Sequence, residues 1–268
     1  MYRGYASLGP PKCLSAATDF LLFIAAFLQK MSDVEQWISK DRFAAKRLHG
    51  IAKGLTQDKR DIIKKHSAFA SLLDVSPFHV PNELIDFIAV HTTAKLREFN
   101  YGGKRILFTK DMVSKVFKLR SGSKPVQLLT KSVNSKMKNW YKGDHARLPI
   151  SNVADLLKAQ DPTDEDAVIR HWDLLCCSTV LHPGSGNMMS LDYLGSMDVP
   201  KKVHEFDWDE HILELAMYYV EKIQLMNARP LVLDKESAKF DFWICGPLPV
   251  LAVSDPLFYV FCFAYGVA

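Results

Sequence analysis

The chain has 268 residues, of which 48% are apolar and 24% charged. That length and balance exclude a disordered chain, and they exclude a small domain that needs disulfides or metal to stand, because a core of adequate size fits inside. The net charge of +4 conceals a division: residues 1–150 hold 26 basic and 12 acidic residues, whereas residues 151–268 hold 8 and 18. The stretch 95–147 alone has 14 basic and 3 acidic residues. Two such halves can attract each other, attract separate partners, or present one basic side to a polyanion. The plainest reading is two solvated faces of one domain.

In chain order, the first feature is an apolar run of nine, Phe20–Leu28. Asp19 abuts it, no small-x-small cleavage site follows, and a membrane helix needs about 20 residues. It reads as a buried or partner-binding helix, and no membrane association is expected. Ser32 and Glu35 form a capping box, so a helix is predicted from Asp33, with Trp37, Ile38, Phe43, Ala44, Leu48 and Ile51 on one face. A second, lysine-rich helix is predicted over 57–66. Residues 1–65 together read as a basic helical extension.

Pro81 opens the next helix, whose Leu84, Ile85, Phe87 and Ile88 give it a broad apolar face. Gly102–Gly103 between two short alternating runs predicts a β-hairpin near residues 95–108. Thr109 is placed to cap a helix carrying Met112, Val113, Val116 and Phe117. Residues 120–149 show no clear period. Beyond them, Ser151 is predicted to cap a short helix ending near Leu157, and Thr163 with Asp166 to cap an apolar helix over 164–181 that Pro183–Gly184 terminates. A short helix comes next, around Leu191–Leu194. The clearest amphipathic helix is 207–226, with Trp208, Ile212, Leu215, Ala216, Tyr219, Val220 and Ile223 at three- and four-residue spacing. The apolar, aromatic run Pro256–Ala268 reads as a buried strand or as a tail beyond the domain. The predicted fold is mainly α, an α-helical domain with one small hairpin.

The order of blocks 69–91, 108–126, 171–216 and 242–251 resembles a known family. The signatures are Thr109–Lys110–Asp111 with Val116–Phe117, the break at Leu181–Gly184, Asp207–Trp208, and Trp243–Pro247. They are similar to the plant mobile domain-like, transposon-associated domains of grass genomes, also labelled aminotransferase-like. The resemblance covers 66–251 and leaves 1–65 and 252–268 as flanking segments. It implies a nuclear, non-enzymatic α-helical domain tied to mobile elements, whose relatives often carry a SUMO-protease-like domain downstream. It brings no catalytic residues and no cofactor. A pyridoxal enzyme would need a lysine placed for a Schiff base, with groups for the cofactor phosphate and ring nitrogen, and nothing marks one.

Few motifs carry chemistry against this expectation. The cysteines Cys13, Cys176, Cys177, Cys245 and Cys262 are odd in number and lack CxxC spacing, which fits reduced core thiols. A SUMO-type cysteine protease is the enzymatic alternative, with His171 (followed by Trp172), Asp192 and Cys245 in the required order. Against it, no glutamine lies shortly before Cys245, and Pro247 and Pro249 obstruct a helix there. The histidines lack metal-site spacing, and the Gly-Ser loops at 121–124 and 184–186 lack the spacing of phosphate cradles. No metal, cofactor or small-molecule substrate is expected.

Two binding roles remain. In the basic stretch, cations are interleaved with aromatics, and Lys104, Arg105, Lys136, Lys138, Trp140, Tyr141 and Lys142 are the candidate contacts to DNA or RNA. Lysines there would neutralise phosphates without reading sequence, and Trp140 or Tyr141 would stack on an exposed base. The dull alternative tucks Trp140 into the core. In the other role, the acidic C-terminal half docks a protein partner or a second copy, with Met217 and Tyr218 lying off the main apolar face of their helix.

Overall fold

The computed structural model describes residues 40–41, 44–76, 82–101, 104–129, 135–143, 147–183, 187–227 and 243–244. The chain divides into two compact units, Met1–Trp37 and Ile38–Ala268, and the described residues all belong to the second. The predicted helix start at Asp33 and the apolar runs 20–28 and 256–268 lie outside the described residues.

The elements run β1 (Lys40–Asp41), α1 (Ala45–Lys53), α2 (Gln57–His66), α3 (Asn82–Val90), β2 (Thr92–Thr93), β3 (Glu98–Tyr101) and β4 (Lys104–Leu107). They continue with α4 (Lys110–Phe117), α5 (Lys136–Lys142), α6 (Ile150–Ala159), α7 (Glu165–Cys176), α8 (Trp208–Asn227) and β5 (Trp243–Ile244). Single 3-10 segments span Ala70–Asp74, Ala94–Leu96, Leu191–Ser196 and Pro200–Glu205. The protein is mainly α with a small β element. The predicted hairpin is β3–β4, in register Glu98↔Leu107 to Tyr101↔Lys104, and β2 adds a third antiparallel strand through Thr92↔Phe99. β1 and β5 form a separate parallel pair.

Helix α7 is the axis of the core. Every side chain from His171 to Leu181 is buried, as befits a helix that is apolar nearly all round. It is covered by α2, α6 and the 3-10 segments at 191–196 and 200–205. Its Trp172 indole donates to the Phe69 carbonyl at 3.2 Å, and Phe69 meets Trp208 edge-on at 4.8 Å. The Trp208 indole in turn donates to the Val203 carbonyl at 2.8 Å. Each buried indole therefore keeps a partner for its one polar atom.

Past Cys176 the helix widens into a π-turn over Cys177–Leu181, closed by His182 N donating to the Cys177 carbonyl at 2.7 Å. The extra residue leaves the Thr179 carbonyl to accept from Ala44 N at 2.9 Å. Pro183 lies just beyond and cannot prolong the ladder.

Several local expectations shift. Residues 45–66 are not an extension: α1 buries Leu48, Ile51 and Ala52, α2 buries Ile63, and the Lys59 ammonium donates to the Lys158 carbonyl at 2.6 Å. The cap of α7 is Asp164, whose carboxylate accepts from Ala167 N at 3.1 Å. Thr163 instead turns back to donate to Asp161, because an Asp two residues earlier competes for its N–H and hydroxyl. Helix α6 starts at Ile150 behind Pro149, ahead of the expected Ser151 cap. Thr109 does cap α4, accepting from Met112 N.

The basic and acidic halves are stitched together. Ion pairs link Arg97 to Glu210 at 2.6 Å, Lys110 to Asp207 at 3.3 Å, Lys138 to Asp192 at 2.6 Å, and Lys124 to Glu205. Such partly exposed pairs are each worth about 1 kcal/mol or less. The backbone does more. Gly122 N donates to the Phe206 carbonyl at 2.8 Å, and Ser123 and Lys124 donate to that of Glu205. A Cβ on Gly122 would sit 2.2 Å from the Glu205 carbonyl oxygen. Gly122→Ala is therefore expected to lower stability by about 1–3 kcal/mol, read as a reduced urea midpoint at unchanged m-value.

Burial also fixes protonation states. Asp173 is fully withdrawn from water, and this desolvation raises its carboxyl pKa to about 8, although the Ser67 hydroxyl donates to it at 2.5 Å. Desolvation lowers His171 and His211 to about 4, and His182 in the same direction. In the native state His171 and His211 hold fewer protons than in the unfolded chain between about pH 4 and 6.5, and the lowered His182 acts in the same direction, so stability rises with pH there. Asp173 holds a proton that the unfolded chain loses near 3.8, so its contribution declines from that pH up to about 8. The buried imidazoles outweigh Asp173 on the acid side, and Asp173 sets the slope above it. Unfolding free energy is expected to peak near pH 6.5, where the imidazoles of the unfolded chain lose their charge, and Asp173→Asn to flatten the alkaline limb. An alkaline slope unchanged in that variant, measured by urea titration at several pH values, would contradict the assignment.

Candidate nucleic-acid interface and a buried histidine–tyrosine chain

Helix α5 has seven residues, three of them lysines. Ser135 caps it, accepting from Lys138 N at 3.3 Å, and Tyr141 is its one buried residue. The Tyr141 ring meets His171 edge-on at 5.5 Å. Lys138 reaches Asp192 on the neighbouring 3-10 segment. These two anchors turn the opposite face of the helix outward. Trp140 is 63% exposed, and Lys136 and Lys142 are exposed with no ion pair among the described residues.

The seven candidate contacts thus separate. Tyr141 belongs to the core, where burial pushes its phenol pKa up, so it is not a stacking residue. The alternative that buried Trp140 is reversed as well, since its neighbour took the inward position. Lys138 is neutralised by Asp192. Arg105 is engaged by Glu98 across the hairpin through two bonds of 2.9 and 2.5 Å, which lowers the Glu98 pKa. Lys104 opens β4, and its side chain lies outside the described residues. Lys136, Trp140 and Lys142 remain exposed, Lys136 on the face of Trp140 one turn away and Lys142 on another side of the helix.

The candidate protease residues do not converge where described. His171 is 1% exposed, with Nδ1 unpartnered and its ring against Tyr141. Asp192 is exposed, bound to Lys138, and its charge acts on His182 instead. Cys245 lies outside the described residues. Cys176 and Cys177 are fully buried, and desolvation raises both thiol pKa values well above the ordinary range. Among the described residues no group of three or more His, Cys, Asp or Glu could hold a metal ion. No helix among them is long and apolar enough to cross a membrane.

A polar cluster that the sequence did not reveal sits at the end of the π-turn. His182 Nδ1 lies 3.0 Å from the Tyr193 hydroxyl and Nε2 3.2 Å from that of Tyr219; the Tyr193 hydroxyl is also 2.9 Å from His211 Nε2. Both imidazoles are held neutral by burial, so each ring has one donor and one acceptor nitrogen. The Tyr193 hydroxyl therefore donates to one ring and accepts from the other, and the proton order along the whole chain is cooperative. The four residues come from three separate elements, which no local spacing would expose. Tyr193→Phe removes the hydroxyl shared by both rings and is expected to cost about 1–3 kcal/mol, more than Tyr219→Phe. Equal losses, measured by chemical unfolding, would refute the central place given to Tyr193.

No curated protein and no solved structure matches the chain. A family model described as Domain of unknown function (DUF8566) matches residues 41–251, so the chain belongs to that family.

Proposed function

We propose that the protein is a non-catalytic, mobile-element-derived nuclear module that binds single-stranded nucleic acid weakly and without sequence preference through α5. The observation that carries this reading is Trp140, presented to solvent one helical turn from exposed Lys136, with exposed Lys142 at the helix end, neither lysine in an ion pair among the described residues, on a helix pinned from behind. An exposed indole offers a face on which any base stacks, and flanking lysines neutralise phosphate without reading the base. The resemblance to plant mobile domain-like proteins supports the nuclear and non-catalytic parts. The ion pairs at Arg105, Lys110, Lys124 and Lys138 engage those four cations with carboxylates of the same chain, so the reading centres on the lysines beside Trp140.

Binding of a fluorescent single-stranded oligonucleotide is expected at low salt, with log affinity falling against log salt at a slope near about −1.4, the value for two released counterions. Trp140→Ala is expected to weaken binding about tenfold, and Lys136→Glu with Lys142→Glu to abolish it. Tyr141→Phe should leave it unchanged. Absence of binding, or affinity indifferent to Trp140 and salt, would reject the proposal.

A further inference from the structure

Helix α8 is the longest described, and its outward stripe is Glu214, Tyr218, Glu221, Lys222 and Leu225, all exposed. A surface helix of this length normally keeps such a stripe polar. Here Tyr218 is 57% and Leu225 68% exposed, seven residues apart on one face. Two further exposed apolar residues lie on elements packed against α8. The Gln224 amide donates to the Ala89 and Thr92 carbonyls at 2.7 and 2.6 Å, which fixes the end of α3 against α8. Val90 there is more than half exposed, as is Leu96 on the 3-10 segment that also packs on α8.

The charges on the stripe indicate the occupant. Glu214 and Lys222 lie four residues before and four after Tyr218. If two copies pair antiparallel about a two-fold axis at Tyr218, each Glu214 meets the other copy's Lys222 and the two tyrosines meet at the centre. Parallel pairing would instead stack like charges. This is the self-complementarity that an isologous interface requires, where residue i meets j and j meets i. Aromatic side chains are also the commonest anchors at interface centres.

We infer that the outer face of α8 is a homodimer interface with Tyr218 on the axis and reciprocal Glu214–Lys222 pairs on either side. The surface is separate from the Trp140 helix, so the inference stands or falls independently of nucleic-acid binding.

Sedimentation velocity of the full chain tests it, at concentrations up to about 100 μM, which populate complexes of micromolar Kd. The expected result is a concentration-dependent shift from one chain mass to two. Tyr218→Glu should leave only monomer with an unchanged circular dichroism spectrum. Glu214→Lys and Lys222→Glu should each weaken association about tenfold or more, by placing like charges opposite each other. The double variant Glu214→Lys/Lys222→Glu should recover it. A wild type that stays monomeric throughout overturns the inference. So does association indifferent to Tyr218→Glu, or a double variant no better than either single one, the last result meaning that a different partner geometry covers the face.

Discussion

The withdrawal of residues 171–181 from water governs the rest of the structure. A segment closed off on all sides cannot carry net charge, so its ionisable groups must be neutral or absent. Asp173 keeps its proton, His171 loses one, and Cys176 and Cys177 stay as thiols. Reactive chemistry would need the opposite arrangement, in which such groups border a wet cleft and are poised near neutral pH. The same enclosure explains why Tyr141 turns inward: the α7 surface offers it an imidazole edge, and α5 has no other buried residue for anchorage.

Charge separation along the sequence is resolved within the fold. The 95–147 stretch lies against the acidic segments around 192 and 205–210, so four cations that look available in a linear reading are committed there. The pairs supply register more than energy. They are partly exposed and weak one by one, while the backbone hydrogen bonds of 122–129 to the two 3-10 segments hold the crossing. The α5 lysines Lys136 and Lys142 belong to the surface charge left over, with exposed Lys95, Lys115, Lys118 and Arg147 elsewhere on the stretch.

Long, strongly periodic segments were legible in the sequence, and so was the hairpin. The α8 stripe, the helix over 57–66 and the pairing of β3 with β4 each reflect local rules that the fold obeys. Three features were not legible, for separate reasons. Helix α5 has seven residues and one inward contact, too little to generate a period. The cap at Asp164 depended on Asp161 taking Thr163, a competition between two equally good acceptors. The His182–Tyr193–His211–Tyr219 chain joins residues far apart in sequence, and spacing carries no trace of it. The site was half legible: Lys136, Trp140 and Lys142 face outward, while Tyr141, Lys138 and Arg105 have other engagements that only the packing reveals.

The π-turn makes segment length a fixed quantity of this fold's geometry. Each residue advances a helix by about 100°, so the additional residue between Cys177 and Leu181 sets the angle at which His182 leaves the helix. Removing one residue there would restore a regular ladder and swing the imidazole away from both phenols, and it would withdraw the carbonyl that holds Ala44. The apolar side chains along 177–181 can be exchanged for others of similar size, but the number of residues between Cys176 and Pro183 cannot change without dismantling the hydrogen-bonded rings at its end. Insertions and deletions among relatives of this chain should therefore avoid that interval, even where its amino acids vary.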